Sequence, residues 1–306
     1  MSPTSLPLQF WLPPLDHFDV RHPLHRQLAR ADRLPDGPRG DLGGLGGYFP
    51  CDAQPLPAAA LVREQLMGDA GDDVWLNADP AWVQPDINGV RLIAGGRMQL
   101  DDAQVQVLLQ ALRPAFDEAG LQLEITTPDR WQLRLPPDTV LPPFDTTEQA
   151  LGEDLLQHLP PGPEGRRWRV LLNEIQVLLH EHPLQAQRRA RGLAPVNSVW
   201  FWGGGRLPPH VSSPLAGAIS DDPLLLALAS RAGVARSPRT SDHVAAAAAG
   251  WLVDLHDLPV DAFNASWWPV LAGVLQRRAV RLDFASGERW LSRPWHRWRF
   301  WRGAAA

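Results

Sequence analysis

Lysine is absent from the sequence, cysteine is nearly so, and there are no long apolar runs. All 29 positively charged side chains are therefore arginines. This excludes Schiff-base chemistry, attachment of pyridoxal phosphate and the lysine of a P-loop. The single cysteine, Cys51, excludes an internal disulfide and a zinc site built from several cysteines. No apolar run reaches the roughly 18 residues that span a bilayer, so no membrane helix is predicted.

The composition is that of an ordinary globular protein, with 44% hydrophobic and 21% charged residues in a chain of 306. Such a length accommodates one large or two ordinary domains, each with a sizeable core. A formal net charge of −5 argues against nucleic-acid binding across the whole surface. The first residues, up to Phe18, lack the basic region of a secretory signal. A cytoplasmic location without membrane association is therefore expected.

Changes in composition along the chain predict three parts. Residues 1–72 are rich in proline and glycine, and we expect mainly loops that pack on the core through aromatic side chains such as Trp11. Residues 73–145 show short strands, a capped helix and an alternating hairpin. They predict a small α+β lobe with a βαββ-like order. Residues 146–306 alternate strands with amphipathic helices and end in a segment rich in tryptophan and arginine.

The third part carries the prediction of fold class. Residues 166–180 place their leucines on one stripe, which indicates an amphipathic helix. Residues 196–202 show almost no polar alternation, which is typical of a strand covered on both faces. We expect this strand at the heart of the domain, with residues 251–255 as another strand of the same sheet. The alternation predicts an α/β fold with a mostly parallel sheet and helices on both faces.

A glycine turn after the strand 196–202 is the first candidate binding site. Open α/β sheets place ligand crevices where such strands end. Glycines there let backbone N–H groups approach an anion, and an arginine can add a bidentate phosphate contact. The alternative is a tight turn without a ligand. The predicted anion-binding residues are Asn197, Gly203, Gly204, Gly205 and Arg206.

A second candidate lies at the end of the strand 251–255. Asp254, His256 and Asp257 can bind a metal or serve acid–base chemistry, the alternative being a capped loop. No catalytic nucleophile is predicted. Ser198 lies outside a G-x-S-x-G elbow, and Cys51 has no histidine near it in the sequence.

The last segment, RPWHRWRFWR, interleaves rings with cations. Such alternation suits stacking on phosphate or bases, cation–π contact, or anchoring in a protein partner. The alternative is that the tryptophans pack on the domain while the arginines face water. The candidate interaction residues are Trp295, Arg297, Trp298, Arg299 and Trp301.

Three parts of the chain carry a resemblance to a known family. Residues 167–205, with the string NEIQ…HPL…PVNS-W-WGGG, resemble RpfE-type regulatory proteins, which are bacterial and often labelled phosphoglycerate-mutase-like. Residues 77–93 and the WRFW ending also match, so the likeness covers roughly residues 70–302. A more distant similarity links the first block to archaeal-type cofactor-independent phosphoglycerate mutases of the alkaline phosphatase superfamily. That resemblance implies two-metal phosphotransfer with a Ser or Thr nucleophile and Asp and His ligands. It also implies that the lobe of residues 73–145 is cap-like, similar to the cap inserted in those enzymes.

The sequence departs from the implied ligand pattern. Asp36-Gly37 lies in a Pro/Gly loop instead of following a strand, and HDLPVD stands where a D-E-x-G-H motif is expected. We therefore predict a non-catalytic regulatory or ligand-sensing protein derived from a phosphoglycerate-mutase-like scaffold, without a cofactor. One alternative is a metal-dependent phosphomutase or phosphatase that acts on a small phosphorylated metabolite. Another is a protein-interaction module that uses the C-terminal segment. The expected partner is a protein or a small phosphorylated ligand.

Overall fold

The structure, a computed structural model, describes residues 6–87 and 89–302. Its strands are β1 (Leu8–Leu12), β2 (Asp32–Leu34), β3 (Val74–Asp86), β4 (Gly89–Gly95), β5 (Gln122–Thr127), β6 (Arg130–Leu135), β7 (Ser198–Gly205), β8 (Gly217–Ile219), β9 (Ala235–Ser237), β10 (Trp251–Asp254), β11 (Val280–Phe284) and β12 (Arg289–Ser292). Its helices are α1 (Pro23–Arg30), α2 (Asp41–Tyr48), α3 (Ala58–Met67), α4 (Asp102–Glu118), α5 (Thr147–Ala150), α6 (Gly162–His180), α7 (Pro183–Ala190), α8 (Pro223–Arg231), α9 (Ser241–Ala246), α10 (Val260–Ala262) and α11 (Trp268–Arg277). Within the described residues, no helix is long and apolar enough to cross a membrane.

The chain forms two compact units. The first contains the residues up to Asp52 and those from Pro209 onward, and the second is the continuous stretch Ala53–Pro208. This grouping differs from the predicted parts 1–72, 73–145 and 146–306. The reason is that β1, in the N-terminal part, pairs with strands from the C-terminal part.

The first unit is built on a seven-stranded sheet in the order β2-β12-β11-β1-β10-β8-β9. The strands from β11 to β9 in this order are all parallel, while β12 and β2 join by antiparallel pairing. The predicted α/β fold with a mostly parallel sheet is therefore confirmed. The expectation that the N-terminal segment is mainly loop is wrong for β1, whose five residues are all buried.

Both faces of this sheet are covered. Phe10 and Leu12 of β1 belong to a core that includes Leu24 of α1 and Leu271 of α11. Trp11 points to the opposite face, because side chains alternate along a strand. There it meets α2, where a Cβ on Gly44 would lie 2.5 Å from the indole. The glycine thus lets α2 approach the sheet closely.

The second unit is an α+β structure. Its five-stranded antiparallel sheet has the order β4-β3-β6-β5, with β7 paired to β3, and α4 and α6 contribute leucines to its core. The strands β3 to β6 and the helix α4, which fall within residues 73–145, lie in this unit together with β7. The placement of β7 in the parallel sheet is wrong, since it pairs antiparallel with β3 from Ala81–Ser198 to Trp75–Gly205. An apolar run indicates coverage on both faces and leaves the direction of the partner strand undetermined.

Candidate functional site

The carboxyl ends of neighbouring parallel strands bring a polar cluster together in the first unit. Ser220 directly follows β8, Asp254 is the last residue of β10, and Trp11 of β1 lies beside Asp254 in register. Strands β1, β10 and β8 are adjacent. Their ends therefore place these side chains at one edge of the sheet, where open α/β sheets hold their ligands.

Asp254 is the centre of the cluster. Its carboxylate is fully buried, and Oδ2 accepts a hydrogen bond of 2.6 Å from the Ser220 hydroxyl. The other oxygen, Oδ1, lies 2.6 Å from Nδ1 of His256. The imidazole of His256 stacks on the indole of Trp11, with ring centroids 3.6 Å apart. Both oxygens are thus engaged, and His256 is held between a carboxylate and an aromatic face.

The Asp254–His256 contact is an ion pair. Burial alone would lower the pKa of His256, but Asp254, with help from Asp41 and Asp257, raises it to about 9. Burial alone would raise the pKa of Asp254, yet the net direction is downward because of His256 and Arg239. The imidazole is therefore protonated and Asp254 ionised at neutral pH.

Arg239 supplies a second buried cation. Its Nη1 donates to Oδ1 of Asp257 at 2.7 Å, and Nη2 lies 3.5 Å from Oδ2 of Asp254. The side chain is only 5% exposed. The backbone N–H of Arg239 donates to Asp221 at 3.0 Å, which fixes the loop after β9 beside the loop after β8. The guanidinium therefore lies against both carboxylates of the cluster.

The same residues are the candidate metal ligands. One donor atom each from Asp254, His256 and Asp257 lies within 4.8 Å of the others, and no other group of three such side chains is found in the described residues. Two carboxylates and an imidazole fit the donor preferences of one divalent ion. A two-ion centre needs a larger set of ligands than this. The predicted trio is thus brought together, and it fits a single ion.

A surface cleft of about 550 Å³ lies beside the cluster. Its lining includes Ser220, Asp221, Arg236 and Ser237. Ser220 therefore belongs both to the buried hydrogen-bonded chain and to the wall of a space that can hold a small molecule. An arginine in the same wall favours an anionic occupant.

Sequence reasoning identified the trio but missed Ser220 and Arg239. A usable signal existed, because each follows a short strand of the parallel sheet, β8 and β9 respectively. Applying the carboxyl-end rule to every strand would have found both.

The predicted anion site lies in the second unit, and its glycines are part of β7 instead of a turn after it. A Cβ on Gly203 would lie 2.9 Å from the Ala58 Cβ, and one on Gly204 would lie 2.4 Å from a methyl carbon of Leu141. Protein atoms thus account for these glycines. The Asn197 amide donates to and accepts from the backbone of Val83, at 2.8 and 2.9 Å. Arg206 is exposed. Anion binding by this segment stays a prediction.

The C-terminal segment is anchored through its arginines. Arg293 and Arg299 each lie 2.6 Å from a carboxylate oxygen of Asp32 in β2. Trp298 and Trp301 are 64% and 69% exposed. The exposed set, which also includes Trp295 and Arg297, leaves aromatic faces on the surface. The tryptophans are therefore exposed instead of packed on the domain, while two of the arginines pair with Asp32. A binding role for the segment stays a prediction.

Comparison with known proteins gives sequence matches to one kind of enzyme. No family model matches the chain. It is 39% identical over 74 residues to a probable 2,3-bisphosphoglycerate-independent phosphoglycerate mutase of Geobacter sulfurreducens, covering 24% of this chain and 18% of that protein. It is 36% identical over 198 residues to the 2,3-bisphosphoglycerate-independent phosphoglycerate mutase of Methanosarcina barkeri, covering 60% and 46%. The chain thus spans less than half the length of these relatives.

Among solved structures, the cofactor-independent phosphoglycerate mutase of Thermoplasma acidophilum superimposes with a TM-score of 0.41 at 14% identity, over 94% of this chain and 89% of that one. The relation therefore rests on the sequence matches, which show a distant similarity to cofactor-independent phosphoglycerate mutases. They overturn the prediction of a non-catalytic regulatory protein, because the matched relatives are named as enzymes.

Proposed function

We propose that the chain is a metal-dependent phosphomutase or phosphatase that acts on a small phosphorylated metabolite at the cluster around Asp254. The observation that carries the proposal is the buried chain Ser220–Asp254–His256, with a 2.6 Å contact on each side of the carboxylate. Its position at the carboxyl edge of a parallel sheet supports a binding role. The similarity to phosphoglycerate mutases supports phosphoryl chemistry.

Each residue has a role that its contacts support. Ser220 is the phosphoryl acceptor: its Oγ forms a bond to phosphorus while the bond from phosphorus to the metabolite oxygen breaks. The hydroxyl proton passes along the existing hydrogen bond to Asp254. His256, as a candidate metal ligand, is not the acid, so the departing oxygen takes its proton from water. Water or a second hydroxyl of the metabolite then takes the phosphoryl group from Ser220 and loses its proton to solvent, while Asp254 returns the serine proton to Oγ. Transfer to water gives a phosphatase, and transfer to the second hydroxyl gives a mutase.

Asp254, His256 and Asp257 would hold the divalent ion, which when bound supplies charge stabilisation for phosphoryl oxygens. Arg236, in the wall of the cleft, would contact the substrate anion. The block 167–205 supports placing the chain with the RpfE-type branch of phosphoglycerate-mutase-like proteins, in the cytoplasm of a bacterium.

The test measures turnover by the purified full chain with Mg²⁺, Mn²⁺, Co²⁺ or Zn²⁺. Substrates are 2- and 3-phosphoglycerate for the mutase and p-nitrophenyl phosphate for the phosphatase. We expect turnover with at least one metal, its loss in Ser220→Ala, and its retention in Ser212→Ala, which removes an exposed serine of the same unit. Absence of turnover in a folded protein with all four metals would contradict the proposal. A fully active Ser220→Ala variant would remove the role of Ser220.

A second candidate function is protein interaction through the C-terminal segment. It is favoured by the exposure of Trp298 and Trp301 while neighbouring arginines hold the segment to β2. Replacing both tryptophans with serine should abolish capture of a partner without unfolding the unit. Val20→Ser is the matched control, since Val20 is 83% exposed in the same unit. Unchanged capture by the double tryptophan variant would count against this function.

A further inference from the structure

We infer that Arg239 is a built-in counter-cation that competes with a divalent ion for Asp254 and Asp257, and so sets the affinity of the site for metal. The inference rests on the proposed function only in placing an ion at these carboxylates. It concerns the residue that opposes binding, which lies outside the three candidate ligands.

Arg239 and a bound metal ion would use the same carboxylate groups, those of Asp254 and Asp257. The guanidinium contacts Oδ1 of Asp257 at 2.7 Å and approaches Oδ2 of Asp254 at 3.5 Å. These carboxylates are two of the three donors of the candidate metal site. A lone pair directed at an N–H donor is not available to a metal ion. Two cations beside the same carboxylates also repel each other, and the side chain of Arg239 is too deeply buried for water to screen that repulsion well.

The contacts of Arg239 are incomplete, which makes it displaceable. Its Nε is buried and has no hydrogen-bond partner among the described residues. The approach to Asp254 is at the upper limit of a hydrogen bond, so one close contact, to Asp257, holds the guanidinium. A buried donor without a partner costs stability. A bound ion can therefore displace the guanidinium from the two carboxylates.

Other charged groups near the site also affect its affinity for a metal ion. Asp41 also faces the cluster, with its Oδ1 3.4 Å from Nε2 of His256. In the absence of metal, Arg239 places a positive charge against Asp254 and Asp257. Its loss would remove that charge and leave the site more negative, which favours a divalent cation. The loss of Arg239 should therefore tighten metal binding instead of weakening it.

The test is Mn²⁺ binding to the full chain, measured by electron paramagnetic resonance and calorimetry at near-neutral pH. Arg239→Gln, which keeps a polar side chain without charge, should lower the Mn²⁺ dissociation constant by about tenfold or more, as expected for removal of one nearby buried charge. Adding Asp257→Asn to the Arg239→Gln variant should raise the Mn²⁺ dissociation constant again. Arg277→Gln is the control for net charge. Arg277 is exposed on α11 and bonds to Gly273 of its own helix, so the Mn²⁺ affinity should stay unchanged. Equal Mn²⁺ affinities of the native chain and Arg239→Gln would overturn the inference.

A second measurement serves if Arg239→Gln does not fold. In the native chain, the Nε–H signal of Arg239, assigned by nuclear magnetic resonance, should shift as Mg²⁺ saturates the site, because the guanidinium leaves Asp257. No shift at saturation would overturn the inference. Failure of this inference can be told apart from failure of the proposed function. Tighter Mn²⁺ binding by Arg239→Gln without any phosphoryl turnover would retain this inference and remove the function.

Discussion

The buried carboxylate of Asp79 gives a quantitative test of the structure of the second unit. Asp79 lies on β3 and is only 4% exposed, and its Oδ2 accepts a 2.8 Å hydrogen bond from the indole of Trp202. Burial raises the pKa of Asp79 to about 6 from its ordinary 3.8. The folded state therefore binds the proton more tightly than the unfolded state. At neutral pH the ionised carboxylate costs about 3 kcal/mol of the free energy of unfolding.

The sign of the pH dependence follows. Where the folded pKa lies above the unfolded one, the stability contribution is full below the unfolded pKa and is lost as the pH rises through the folded pKa. Between about pH 4.5 and about pH 8, Asp79 should therefore remove about 2 kcal/mol from the stability of the second unit. Asp79→Asn cannot ionise and should abolish this loss. Any constant cost of burying the new amide cancels in the difference between the two pH values.

The assay is urea unfolding at both pH values, followed by circular dichroism and tryptophan fluorescence. The stability of Asp79→Asn relative to the native chain should increase by about 2 kcal/mol from the lower to the higher pH. Asp138→Asn, which replaces an exposed carboxylate of the same unit, is the control and should show no such change. An Asp79→Asn stability difference that is the same at both pH values would refute the reasoning.

Four further predictions concern single positions. In metal-free protein, the raised pKa of His256, about 9 against 6.5, should give the first unit stability that is full below pH 6.5 and lost as the pH rises through 9. The size is about 3 kcal/mol, and pH-dependent urea melts of His256→Gln should lack that loss. Gly204→Ala, which drives a Cβ into Leu141, should destabilise the second unit by about 1–3 kcal/mol in urea melts. Its counterpart in α2, Gly46→Ala, meets open space and should stabilise the first unit by up to about 1 kcal/mol. Tyr48→Phe removes a buried 2.6 Å hydrogen bond to Asp283 and should cost about 2 kcal/mol, and an unchanged melting midpoint would contradict that contact.

The local sequence pattern predicted individual strands and hairpins better than it predicted which strands pair with one another. The hairpin of β5 and β6 and the strand β10 follow from alternation and apolar runs within a few residues, and the structure contains them. β1 was missed because a five-residue strand flanked by prolines carries little periodic signal. The sheet to which β7 belongs was predicted incorrectly because its apolar run is compatible with both kinds of sheet.

The residues of the candidate site also fall into two groups, those close together in the sequence and those far apart. Asp254, His256 and Asp257 are near one another in the sequence, so their grouping is local and was predicted. Ser220 and Arg239 reach Asp254 from 34 and 15 residues away. Such contacts depend on strand order, which one sequence does not reveal. The guanidinium beside the carboxylates was missed for that reason.

The position of β1 has a consequence for biosynthesis. β1 leaves the ribosome well before its partners β10 and β11, where Gln9 lies beside Leu252 and Arg281. The central strand of the first unit must therefore wait until β10 and β11 have been made. The second unit is continuous in sequence and can fold in the meantime. During that interval the apolar strand LQFWL lacks β10 and β11, so the nascent chain depends on protection from aggregation until these two strands emerge.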